Sequence, residues 1–131
     1  MSKVKFDGYY YHIDFKENDK YNSDNYILRF FPNNRVIGVA VEVTKEKKFT
    51  FGNCFPVGNW FNENYESSGI FNISENQITF ECGDVEFKGT IINDDILKLF
   101  SHSNINNYET TKEYNFISFK VLQDIRTSEK L

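Results

Sequence analysis

A chain of 131 residues with a net charge of −4 and a pI of about 5.2 lacks the surplus of clustered Lys and Arg that a general nucleic-acid grip needs to displace counterions. Fourteen Phe and eight Tyr against only two Pro and seven Gly exclude a low-complexity disordered chain and supply one aromatic core. The length fits one domain, 1–131, able to bury about two-thirds of the surface its unfolded chain exposes.

The first residues, Met1-Ser2-Lys3-Val4-Lys5, carry no apolar leader core, and no apolar run has the length of a membrane span. The expectation is therefore a cytoplasmic protein with no membrane span, in which Cys54 and Cys82 are free thiols. Lys45-Glu46-Lys47-Lys48, the one basic cluster, is interrupted by an acid and reads as a solvated loop.

Residues 3–15 read as a first strand. Tyr9, Tyr11, Ile13 and Phe15 share one face, and Tyr10, His12 and Asp14 the other. Residues 16–25 are polar and rich in Asn and Asp, and read as a loop. Residues 26–31 and 36–43 form the clearest hairpin, turned at Pro32-Asn33-Asn34-Arg35. Pro fixes φ, and Asn tolerates the left-handed region while bonding its own backbone. In the second arm Ile37, Val39, Val41 and Val43 alternate with Val36, Gly38, Ala40 and Glu42. Gly38 inside that strand signals a bulge, a bend or a close approach of another segment.

Residues 45–68 bring Phe55, Trp60 and Phe61 but are broken by Gly52, Pro56 and Gly58. They read as a compact loop with one helical turn near Trp60, lying over one end of the sheet. Short strands then return at 69–74, 77–82, 85–92, 96–103 and 113–122. Their turns are Glu75-Asn76, Gly83-Asp84, Asn93-Asp94-Asp95 and the loop 104–110. Residues 124–131 are polar, a short helix or a frayed tail.

About eight antiparallel strands follow one another with no long amphipathic helix, which leaves no βαβ crossover for a parallel sheet. A twisted sheet of that size curls, and closure removes its edges. The fold class is all-β, an up-and-down antiparallel barrel with a β-sandwich as the alternative.

Phe6-Asp7-Gly8-Tyr9-Tyr10 resembles the opening strand of the lipocalin-like (calycin) barrels, with Tyr10 where they usually carry Trp. A closer likeness is to small bacterial proteins of similar length with a Tyr-Leu-Arg-Phe-Tyr-Pro hairpin. The matching residues are Tyr26, Leu28, Arg29, Phe30, Phe31 and Pro32, with Ile27 inserted, followed by Trp60 and the strand start at Gly69. The resemblance implies a lipocalin-like barrel and carries over no catalytic residue.

His12 and His102 are the only histidines, too few and too far apart for a zinc motif, and the sequence implies no metal or cofactor. Ser101-His102-Ser103 lies on a strand, so His102 points away from both serines and serves neither as a base. The candidate ligand-binding residues are Arg29, Tyr26, Phe55 and Trp60. Arg29 is either an inward anchor for a carboxylate or phosphate, or an outward charge with Tyr26, Leu28 and Phe30 inside. Phe55 and Trp60 are either a cap on one barrel end or the wall of a ligand mouth. The leading expectation is a barrel binding an apolar or amphipathic small molecule in its interior. The alternative is a protein-interaction or structural module with a filled barrel, acting through its surface loops. An enzyme is the most distant reading.

Overall fold

In the computed structural model, which describes residues 3–16, 19–43, 52, 55 and 68–129, the described chain forms eight strands and a helix. They are β1 (Gly8–Lys16), β2 (Asp19–Phe30), β3 (Arg35–Val43), β4 (Gly69–Ser74), β5 (Gln77–Cys82), β6 (Val85–Asn93), β7 (Ile96–Ser103), β8 (Glu109–Ser118) and α1 (Phe119–Glu129). Every strand pairs antiparallel with its sequence neighbour. β1 then pairs with β8 from Gly8↔Ser118 to Tyr11↔Asn115, which closes the ring. This is the expected up-and-down barrel, with lipocalin-like topology. The ladder runs unbroken from β1 round to β8, so the sheet does not split into a sandwich.

The turns sit where the residue types ask for them. Asn34 takes φ 66° at the end of the first hairpin turn and Gly83 φ 59° between β5 and β6. The Asn93 side chain accepts from the Asp95 N–H at 2.8 Å, holding the turn between β6 and β7.

Three boundaries depart from the sequence expectation. First, β1 starts at Gly8, not residue 3. A side chain at Gly8 would collide with the Ile117 carbonyl of β8, so the strands meet closely there. Ahead of it, Val4 is buried in the barrel interior, and the Lys5 N–H donates to the Tyr10 hydroxyl at 2.9 Å. Second, residues 19–25 are strand, not loop. Ser23, Asp24 and Asn25 pair with both β1 and β3, and tertiary pairing overrides weak strand propensity. Third, β8 runs 109–118 and the chain then turns into α1. The Ser118 hydroxyl accepts from the Val121 N–H at 3.2 Å, an N-cap. Phe119, Leu122 and Ile125 form the apolar stripe of that helix.

Two apolar cores result. One fills the barrel around Tyr10, Phe30, Phe71, Phe80, Leu97 and Leu99. The other lies outside it, where Tyr9, Ile27 and Ile37 meet Phe55 and Leu122. The first three strands are thus apolar on both faces, as strands covered on both sides must be. The described residues include no helix long and apolar enough to cross a membrane.

Candidate functional site

The barrel interior divides along its axis. At the end closed by the 31–34, 75–76 and 94–95 turns, Phe30 is fully buried. It packs edge-on against Tyr10, Phe71 and Phe80 at centroid distances of 5.5, 5.1 and 5.5 Å. The Tyr10 hydroxyl donates to the Asp94 carbonyl at 2.6 Å, tying the first strand to the turn below it. Burial pushes the Tyr10 phenol up to about 12, so it stays protonated and keeps that bond.

The other end is not filled. Inward positions there are small or polar: Gly38 and Ala40 on β3, Ser101 and Ser103 on β7, Thr110 and Lys112 on β8. With Tyr26, Cys82, Val85, Phe87 and Tyr114 they surround a cavity of about 220 Å³. The wall is also thin on one side. The β3–β4 ladder holds only Arg35↔Ile70 and Val36↔Gly69, so among the described residues β3 runs on beyond Val36 without a β4 partner. Gly38 marks a close approach, the third of its sequence readings. A methyl there would lie 2.9 Å from Leu28 Cδ2 and 3.4 Å from Cys82 Sγ. The Cys82 thiol is buried and free, and burial raises it to about 12, which makes it an inert part of the wall.

Beside the cavity stands a charged cluster. Asp14 Oδ2 accepts from Lys112 Nζ at 2.7 Å, and Asp14 Oδ1 lies 2.6 Å from His12 Nε2. His12 Nδ1 faces the Glu113 carbonyl at 2.9 Å. Both ring nitrogens therefore face oxygen atoms. The Lys112 side chain is 12% exposed, and its ammonium lies 4.8 Å from the Tyr26 ring centre, a cation–π contact. Burial opposes the Asp14 charge, but the bonds from Lys112 and His12 outweigh it and hold the carboxyl below its usual range. Tyr114, 3% exposed, lines the cavity, and its hydroxyl has no hydrogen-bond partner among the described residues. Burial, reinforced by Tyr26, Asp14 and the Cys82 thiol, pushes its phenol far up.

Of the candidate ligand-binding residues that are described, Tyr26 lines this cavity and Arg29 and Phe55 do not. Arg29 takes the outward of its two expected directions. It points out of the barrel, as strand parity with Leu28 and Phe30 requires, and is partly covered there. Its guanidinium is sandwiched between Phe31 and Phe119, at 4.6 and 4.7 Å from the ring centres. Phe55 neither caps a barrel end nor walls the cavity. It lies on the outer face, stacked on Tyr9 at 5.8 Å and edge-on to Tyr11 at 5.2 Å. The helix holds it there: Arg126 donates to the Phe55 and Gly52 carbonyls at 3.2 and 3.3 Å. Trp60, Phe61, Cys54 and the Lys45–Lys48 cluster lie outside the described residues. His102 faces outward and pairs with Glu109 at 2.9 Å, while Ser101 and Ser103 face the cavity, as strand alternation predicts. No group of three potential metal ligands converges among the described residues.

Lys112 and Tyr114 line the cavity and Asp14 pairs with Lys112 beside it, and none of the three stands out in the sequence. The cause is the start of β8. With the loop at 104–110 and the strand begun at 113, Lys112 falls in neither. Begun at 109, Thr110, Lys112, Tyr114 and Phe116 fall on one face by their spacing of two. No family model, no curated protein and no solved structure matches the chain.

Proposed function

We propose that this protein binds a compact amphipathic small molecule in the open end of its barrel. The observation that carries this reading is the cavity of about 220 Å³ at one end of an interior whose other end is close-packed. Protein interiors are normally filled to the density of organic crystals, so an open-mouthed cavity of this size inside one barrel end is space that a small molecule can enter. A largely apolar wall with a few convergent polar groups is the usual make-up of a ligand pocket. The volume falls below the roughly 300–1,000 Å³ of drug-sized sites, which favours a single-ring or short branched molecule over a long fatty acid, a retinoid or a haem. The rival interaction-module reading draws on Ile105 and Tyr108 in the β7–β8 turn, 77% and 60% exposed at the cavity end.

The test is a panel of single-ring and branched short-chain compounds, read by melting temperature and by amide shifts of Ser101, Thr110 and Lys112. A ligand present at a hundred times its Kd should add about 2.7 kcal/mol of stability. Ala40→Phe, which places a ring at the cavity, should abolish the response. A flat response across the panel, with these amides unmoved, would refute the proposal.

A further inference from the structure

Building on that reading, we infer that the molecule held in the cavity carries a carboxylate, received by the Lys112 ammonium and the Tyr114 hydroxyl. Tyr114 is 3% exposed and lines the cavity. No described residue hydrogen-bonds its hydroxyl, and that oxygen is not sealed from solvent. It is therefore open to whatever occupies the cavity.

The chemistry of its surroundings names the other half. Lys112 has three N–H donors and no acceptor. One donor goes to Asp14 Oδ2 at 2.7 Å, leaving donor capacity next to the cavity that Lys112 lines. The one carboxylate of the cluster has an oxygen engaged by Lys112 and the other by His12. Lys112 thus has donors to offer where it lines the cavity, while Asp14, already accepting two bonds, is not one of the lining residues. Ser101, Ser103 and Thr110 add hydroxyls that serve either way. An incoming amine would meet the Lys112 cation with no carboxylate among the lining residues to balance it. An incoming carboxylate meets a cation and a phenol O–H, the pairing that gives short, charge-assisted bonds. Leu28, Val85 and Phe87 supply the apolar wall for the rest of the molecule. A compact apolar body with one acidic head fits both ends.

Benzoate, benzamide and benzylamine share a ring and differ in the charge of the head group, so they separate the alternatives. Their Kd values are measured by amide-shift titration at fixed ionic strength on the whole chain, wild type and variants. Benzoate should bind about tenfold or more tighter than benzamide, the usual gain of a charged over a neutral acceptor, and benzylamine should be weakest. Tyr114→Phe should cost benzoate about tenfold while leaving the melting temperature unchanged or raised, because an unpartnered hydroxyl has no native bond to lose. Lys112→Met should erase the benzoate preference, and Lys112→Arg should keep most of it. If benzamide binds as well as benzoate, or Tyr114→Phe leaves benzoate binding intact, the carboxylate assignment falls while the binding cavity stands. If none of the three moves the cavity amides, both fall together.

Discussion

The two ends of this barrel are built from the same eight strands and solve opposite problems. At one end Phe30, Tyr10, Phe71 and Phe80 interlock edge to face and exclude everything else. At the other, Gly38, Ala40 and two serines occupy the positions where large side chains would fill the ring, and Lys112 stands among them with its counter-charge. Apolar packing stabilises a fold roughly in proportion to the area it removes from water. A void forfeits those contacts. The contrast assigns stability to the packed end and leaves the open end available for binding, so the two should respond differently to the same kind of change.

The largest test of that division is Phe30→Ala. Phe30 is fully buried at the centre of the aromatic set, so its truncation should cost about 3–5 kcal/mol, measured by urea unfolding. Phe87→Ala, the same truncation at a half-buried position on the cavity wall, should cost clearly less by the same measurement. Equal losses at both sites would erase the division.

Next in size is the outer core. Leu122 of α1 is 2% exposed against the β1–β3 face. Leu122→Ala should cost about 2–4 kcal/mol. It should do so without altering ligand affinity, because the helix packs outside the barrel. A fall in affinity to match the fall in stability would show that the helix and the cavity are one unit.

How much of this was legible in the sequence follows from what each feature depends on. Strand alternation and turn chemistry are local, so the hairpin at 32–35, the later turns and the opposed directions of His102 and its serines could be read directly. The side on which a strand's alternating faces lie is not local. Ile37 and Val39 look like an inward face but turn outward under α1, while the smaller Val36, Gly38 and Ala40 turn in. For Arg29 alternation offered the outward direction, but the Phe119 ring that covers it arrives from ninety residues downstream. The cavity was hidden by a boundary error of four residues at β8, which left Lys112 outside the strand.

A third, smaller effect should appear in alkali. The Cys82 thiol is raised to about 12 by burial alone. A raised pKa means that the folded state favours the protonated form. Its contribution is complete below the unfolded thiol's value of about 8.5 and drains away as pH rises from there toward 12. By pH 10 the loss should be about 1–2 kcal/mol at 1.36 kcal/mol per unit. Cys82→Ala should remove that part of the slope. Native Cys82 should also react with a thiol reagent only as fast as the barrel opens, since the thiolate is the reactive form. Rapid labelling at pH 8 without unfolding would place the thiol in contact with solvent and reopen the wall of the cavity.

The smallest effect lies at the open end in acid. Asp14 is held below the usual carboxylate range despite the cost of burial, because Lys112 and His12 both bond it. The sign is the reverse of the cysteine's. A depressed pKa gives stability that is fully present above the unfolded value of about 3.9 and is lost as pH falls through the lower folded value. The Asp14 side chain is 43% exposed, so solvent screens the pair and its contribution stays under about 1 kcal/mol. Comparing wild type with Asp14→Asn from pH 5 to pH 2.5 isolates it: the variant should start slightly less stable and the two curves should converge in acid. Ligand binding gives the sharper reading of the same carboxylate. With Asp14 neutral, Lys112 is released from its pair, so benzoate affinity should rise in Asp14→Asn at pH 7 even as stability slips. A fall in both would mean that Asp14 positions the ammonium for the ligand instead of competing with it.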